Sequence, residues 1–182
     1  EAILGELLRR QMGPDAVVAI LLTHGHPDHT GAIRRFPQAQ VMALEAEVPL
    51  VEGLAGARGP LPRLFPVSPT GVRVTRVLRD GDVVTLGGSS IRVYAVPGHT
   101  AGSAAYFVGG VLLVGDSADV ALDGSLQGSP WVFSDSQAEN RVSLVRLEQR
   151  LVADGVKVTA IVPSHSGAVD GLAPLTTFAR SQ

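Results

Sequence analysis

The chain has 182 residues with a formal net charge of −2 and 18% charged side chains, a size that suits one domain with a sizeable core and a balance that offers no basic footprint for nucleic acid. It contains no cysteine, which excludes a disulfide framework, a cysteine-ligated zinc site and a thiol nucleophile. No apolar run reaches the length of a membrane span, the start carries no signal-peptide pattern, and there is no internal repeat or low-complexity segment.

In chain order, Ile3, Leu4, Leu7 and Leu8 recur at helical spacing within residues 1–12, and Gly13-Pro14-Asp15 supplies a stop and a turn. The apolar run Val17–Leu22 reads as a buried strand and ends in Thr23-His24-Gly25-His26-Pro27-Asp28-His29-Thr30-Gly31. His24 and His26 sit at i and i+2 and therefore project to the same side of extended chain. Pro27 can set the first residue of a short helix, and the resulting turn lets Asp28 and His29 address a second point in space. This layout fits two metal ions better than one. At the chain's own His and Asp frequencies the pattern His-x-His-x-Asp-His arises by chance with a probability of roughly 2 in 10,000, so it is read as a site rather than as solvated loop histidines.

Beyond the motif, Gly31–Phe36 is a short helical piece, Ala39–Leu44 a strand, and Glu45–Leu54 a helix with Val48, Val51 and Leu54 on one face. Residues 55–72 hold Pro60, Pro62, Pro66 and Pro69 and read as a loop. It is either a flap bordering the site, with Leu61, Leu64 and Phe65 as apolar wall, or a surface connection whose Leu and Phe pack on the core. Strands follow at Val72–Val77, Val83–Leu86, Ile91–Val96, Ser103–Val108 and Val111–Val114, separated by Asp80-Gly81, Gly87-Gly88 and Gly109-Gly110 turns, with Asp80 and Asp82 as turn formers. His99 follows the third of these strands and Asp116 the fifth. Residues 120–135 are a second loop, whose Trp131 either lines a pocket or caps the core beneath. Ser134-Asp135-Ser136 caps a helix over Gln137–Ala153 with Val142, Val145, Leu147 and Leu151 inward. The strand Val156–Val162 then leads to His165, and Ala173–Arg180 is a terminal helix.

The segment His24-x-His26-x-Asp28-His29 resembles the signature of the metallo-β-lactamase fold superfamily. Three further elements of that family follow in order: His99 in Pro97-Gly98-His99-Thr100-Ala101-Gly102-Ser103, Asp116 in Gly115-Asp116-Ser117, and His165 in Pro163-Ser164-His165-Ser166-Gly167. All five histidines of the chain fall in this pattern, which runs from Thr23 to Gly167. The resemblance implies an α/β fold, a four-layered αβ/βα sandwich with metals at one edge of two sheets, occupying residues 1–182 as a single domain. It implies His24, His26 and His99 on one metal, Asp28, His29 and His165 on the other, and Asp116 bridging them. Two Zn2+ ions suit these imidazole and carboxylate donors, with iron or manganese as alternatives. The implied chemistry is hydrolysis by a metal-bound hydroxide generated from water of pKa roughly 7. Asp28 is the catalytic residue that orients or deprotonates that water, and Thr100 is expected to hydrogen-bond behind the ligands.

Several branches of the family fit less well. Flavodiiron-type members replace the second histidine of the motif by Glu, where this chain has His26. Zinc β-lactamases bring a Cys or a Ser near the position of Asp116, and quorum-quenching lactonases place a Tyr shortly after it, whereas Ser117 to Leu122 contains none. Glyoxalase II relatives carry a glutathione-gripping helical domain, while here the sequence stops seventeen residues after His165. The expectation is a hydrolase of a small ester, thioester or lactone acting on a small-molecule substrate, with no nucleic-acid partner. Phosphodiester cleavage, a mononuclear-iron persulfide dioxygenase-like activity and a non-catalytic metal-binding role are the alternatives. Family members usually begin with several strands that this sequence lacks, so an N-terminally incomplete chain is expected. The absence of a signal makes the cytoplasm the default location, and oligomeric state is left open.

Overall fold

The computed structural model describes residues 2–65 and 71–182. Two sheets carry the fold. A three-stranded parallel sheet has the order β1 (Ala19–Leu21), β2 (Gln40–Leu44), β3 (Arg76–Leu78). A six-stranded mixed sheet contains β4 (Val83–Leu86), β5 (Ser89–Ala95), β6 (Ala104–Val108) and β7 (Val111–Gly115) as an antiparallel run. A small hairpin of β8 (Ala118–Val120) and β9 (Leu126–Gly128) follows. The larger sheet is completed by β10 (Ala160–Pro163), parallel to β7, and by β11 (Val169–Asp170) at its edge. The helices are α1 (Ala2–Arg9), α2 (Pro27–Thr30), α3 (Val48–Val51), α4 (Pro60–Leu64), α5 (Gln137–Ala153) and α6 (Ala173–Arg180). Short 3-10 turns cover Pro14–Ala16, Ile33–Arg35 and Glu45–Glu47.

The period of two along each strand sorts apolar side chains into three buried layers. In β2, Met42 and Leu44 face Val84, Val93, Ala104 and Tyr106 of the larger sheet, so the two sheets pack face to face. The alternate residues Val41 and Ala43 point the other way, onto Leu22, Ile33 and Val51. In β5 and β6, Tyr94 and Ala105 leave the inter-sheet layer and pack under Leu144, Leu147 and Leu151 of α5 and Leu175 and Phe178 of α6. Helices therefore flank both outer faces, which is the four-layered arrangement expected. Full burial of a Leu side chain is worth about 1.5–3 kcal/mol, so the α5 stripe alone anchors that helix firmly.

Helix α5 has the bounds read from the sequence because its signals are local. Ser136 caps it by accepting a hydrogen bond from the Glu139 backbone N–H at 3.2 Å, and Glu139 occupies the acidic first turn. Its buried stripe runs through Asn140, Ser143, Leu144, Leu147 and Leu151, which turns Val142 to solvent, contrary to expectation. The other departures have separate causes. The strand expected over Val72–Val77 is reduced to β3, because Thr75 already closes both bonds to Val41 and the Val74 N–H goes to the Glu52 carboxylate. The helix expected over Glu45–Leu54 stops at Val51, and the chain turns at Gly53, leaving Leu54 exposed. The expected loop over residues 55–72 contains α4, opened by Pro60 at its first position; Pro66 and Pro69 lie outside the described residues. The second loop contains the hairpin β8–β9, whose turn is held by the Asp123 carboxylate on Ser125. Trp131 neither caps the core nor lines the groove described below, being 66% exposed. Among the described residues no helix is long and apolar enough to cross a membrane.

Candidate metal centre

Every side chain of the predicted site emerges just beyond the end of a strand or on the turn that follows it. The chain leaving β1 is pinned to β6 by the Ala104 N–H to Thr23 carbonyl bond (2.8 Å) and by Tyr106, whose hydroxyl donates to the Leu22 carbonyl (2.6 Å). Beyond this anchor His24 and His26 alternate to one side, and Pro27 opens α2, which carries Asp28 and His29 round to another. His99 follows β5, Asp116 follows β7 and His165 follows β10.

The seven residues named from the sequence converge in two groups, His24, His26 and His99 in one and Asp28, His29, Asp116 and His165 in the other, with donor atoms within 4.8 Å of one another in each. In the first, His99 Nε2 lies 3.0 Å from His26 Nδ1 and 3.3 Å from His24 Nε2. In the second, the His29 and His165 Nε2 atoms are 3.4 Å apart and each is 3.3 Å from Asp28 Oδ2. Asp116 lies against both groups. Its Oδ2 is 3.9 Å from His24, 3.7 Å from His99 and 3.3 Å from His165, and its Oδ1 is 3.2 Å from His29. The first group is buried throughout, whereas Asp28 and His165 are more than half exposed, so access is from their side.

Electrostatics separate the groups. Burial, reinforced by the neighbouring imidazoles, holds His24 well below its ordinary value and brings His99 to about 4. Burial also lowers His26, outweighing the attraction of Asp28 and Asp116. Burial acts downward on His29 as well, but the hydrogen bond and charge of Asp116, joined by Asp28, raise it overall. For Asp116 burial acts upward and is overcome by His29, His24 and His99, which hold the carboxyl well below the usual range.

This donor set fits divalent cations. Three imidazoles that burial keeps neutral bring ring nitrogens to within 3.0–3.3 Å of His99 Nε2, and each neutral ring has one nitrogen lone pair to offer a cation. The tautomer of His99 is set from behind. The Ser134 hydroxyl donates to the Pro130 carbonyl (2.6 Å) and so accepts from His99 Nδ1 (3.1 Å), leaving the Nε2 lone pair free at the centre. Among the described residues Asp116 Oδ1 is buried with no polar partner but the His29 imidazole at 3.2 Å, and a carboxylate oxygen faced only by a metal-ligating residue type is what a cation site offers.

One participant was missed by sequence reading. Glu47, 1% exposed, accepts from the Gly25 N–H (2.7 Å), the Gly102 N–H (2.8 Å) and the Thr100 hydroxyl (2.9 Å), tying the loop of His24 and His26 to the loop of His99. Burial raises its pKa, partly countered by these three donors. A signal existed: Glu47 stands one helical turn before Val51, an acid on the face read as apolar. Thr100, expected behind the candidate ligands, hydrogen-bonds to Glu47 and Ser103 rather than to a histidine. The glycines of this loop are required by contact. Gly98 has φ +129 and a Cβ there would strike the Asn140 backbone, and a Cβ on Gly102 would strike the backbone of Glu47. Gly102→Ala is therefore expected to destabilise the chain by about 2 kcal/mol or more in urea denaturation, since neither partner is a flexible side chain.

The exposed group opens onto a cavity of about 1020 Å3. Asp28, Asp116 and His165 line it together with Leu61, Phe65 and Phe133. Leu61 and Phe65 thus take the bordering position expected of the flap, while Leu64 points to solvent and is not part of it.

Comparison with known proteins agrees with this geometry. Among curated proteins the chain is 37% identical over 126 residues to a hydroxyacylglutathione hydrolase of Cupriavidus taiwanensis, covering 63% of this chain and 42% of that protein. It is 33% identical over 167 residues to the acyl-coenzyme A thioesterase MBLAC2 of Gallus gallus, covering 84% and 57% respectively. The chain thus spans about half the length of these curated relatives. Among solved structures, the metallo-beta-lactamase family protein TTHA1429 from Thermus thermophilus superposes with a TM-score of 0.72 at 24% identity, over 99% of this chain and 65% of that one. TTHA1623, solved in a di-iron-bound form, superposes with a TM-score of 0.66 at 26% identity, over 100% and 83%. The family profile of the metallo-beta-lactamase superfamily matches residues 1–165, all five histidines included, and the chain belongs to that superfamily.

Proposed function

We propose that this chain carries the dinuclear metal centre of a thioester hydrolase. The observation that carries the reading is Asp116, a buried carboxylate lying against both donor groups and lining an open groove. Support for the bond cleaved comes from the two curated relatives, a hydroxyacylglutathione hydrolase and an acyl-coenzyme A thioesterase, whose named substrates share an acyl group on sulfur. The stop after His165 does not count against the first of these, because the chain spans only 42% of that protein.

His24, His26 and His99 would hold one cation; Asp28, His29 and His165 the other, with Asp116 between. Divalent cations supply a water of lowered pKa and polarise the scissile carbonyl. The chain's own residues orient the reaction. Asp28 Oδ2, on the exposed side, is placed to accept a proton from the attacking water. Water oxygen adds to the carbonyl carbon as one proton passes to Asp28, the C–S bond breaks and that proton follows the sulfur to give the free thiol, and the acyl group leaves as a carboxylic acid that loses its remaining proton to solvent. Burial of the first group keeps its imidazoles neutral and available as ligands. Zinc is favoured by the nitrogen and carboxylate donors, and iron by the di-iron form of TTHA1623.

The test is metal removal. Exhaustive chelation is expected to abolish thiol release from acyl thioesters, and about two equivalents of zinc or iron per chain should restore it. Activity that survives chelation, or hydrolysis of phosphodiesters with none of thioesters, overturns the proposal.

A further inference from the structure

Resting on the thioester reading, we infer that the substrate's acyl group is a medium to long aliphatic chain lodged in the groove beside Asp28 and His165. The groove exceeds what a two- or three-carbon acyl group needs: about 1020 Å3 lies at the top of the range of small-molecule pockets. Its walls are apolar side chains from three separate stretches of chain, Leu50 and Leu54 around α3, Leu61 and Phe65 on and just after α4, and Phe133 in the loop before α5. Leu54 is 77% and Phe65 69% exposed, although both line a concave surface rather than projecting singly. Large apolar side chains gathered around a concavity and left in water mark a place where an apolar ligand removes them from it.

Charge decides which half of the thioester lies there. Among the described lining residues Arg63 is the only Arg or Lys, and Asp119 shares the wall with it. Away from the metal-holding end, Arg63 and Asp119 leave the wall with one charge of each sign, so a thiol carrier rich in phosphate or carboxylate finds no basic surface along it, whereas an aliphatic chain requires none. With the carbonyl at Asp28, Asp116 and His165, an acyl chain would lie along the apolar lining contributed by the residues of and after α3 and α4. Length and hydrophobicity of the acyl group therefore set specificity, and Leu54, Leu61 and Phe65 determine it.

The experiment uses the metal-loaded chain and acyl N-acetylcysteamine thioesters from acetyl to decanoyl, so that the leaving group is constant. Each fully buried methylene is worth about fourfold, and an open groove realises part of that, so kcat/KM should rise on the order of 100-fold across the series, chiefly through KM. In Leu54→Asp and Phe65→Asp, both at exposed positions, the decanoyl to acetyl ratio should fall by about tenfold or more, whereas Leu122→Ser, outside the groove, should leave it unchanged. A flat series, a preference for acetyl or hydroxyacyl groups, or an unchanged ratio in both Asp variants overturns the inference. Calorimetry with ketone analogues, in which CH2 replaces the sulfur, separates the two readings. Tighter binding of the decanoyl than of the acetyl ketone without turnover of any thioester keeps the groove and overturns the hydrolase. Turnover without length dependence does the reverse.

Discussion

Asp116→Ala is expected to lower thioester turnover by at least about 1000-fold, close to 4 kcal/mol of transition-state stabilisation, and to leave fewer than two metal equivalents bound. The effect is large because one side chain faces both donor groups, at 3.2–3.9 Å from His24, His29, His99 and His165, and no other carboxylate among the described residues lies between them. Asp28 cannot substitute, since it lies with the exposed group alone. Elemental mass spectrometry beside a thiol-release assay makes the check. Two metals per chain with undiminished turnover would remove Asp116 from the mechanism. The variant should fold, because the contacts that Asp116 loses are those to the site histidines rather than to the strands and helices of the core.

Glu47→Ala should act by a different route. It leaves the Gly25 and Gly102 N–H groups and the Thr100 hydroxyl without their acceptor in a buried place, and each orphaned donor costs about 1–3 kcal/mol. A loss of about 3 kcal/mol or more in urea denaturation is expected, together with metal affinity weaker by about 10- to 100-fold, as for other groups that hold a ligand in place. Glu47→Gln should recover part of both, since one amide oxygen still accepts while the amide NH2 meets donors. Equal stability of the Ala variant and the parent chain would show that the loops of His26 and His99 hold their spacing without this clamp.

Legibility followed the range of the interactions. Helices α5 and α6 lie where they were read because helical period acts within a few positions, as does, for α5, the cap of Ser136 on Glu139. The hairpin β8–β9 was missed because three-residue strands carry too little alternation to register. Val72–Val77 looked like a strand, yet only its end pairs with β2, because Thr75 and Glu52 had already satisfied the preceding backbone. The candidate metal centre was unusually readable. His24, His26, Asp28 and His29 were legible from their spacing and His99, Asp116 and His165 from the family resemblance, and the fold brings the seven together in two groups.

The alternation of the longer strands, the Ser136 cap of α5 and the inventory of imidazoles and carboxylates were legible from the sequence, because each of these is written in neighbouring residues. The tertiary structure alone decided that Glu47 would clamp two loops, with partners 22 to 55 positions away. It alone decided that Ser134 would orient His99 across 35 positions and that Trp131 would face solvent. The groove belongs to the same class: Leu50, Leu61 and Phe133 share a wall only because two sheets and their helices pack together. Hydrophobic patterning says that such residues are to be covered, and only packing says by what.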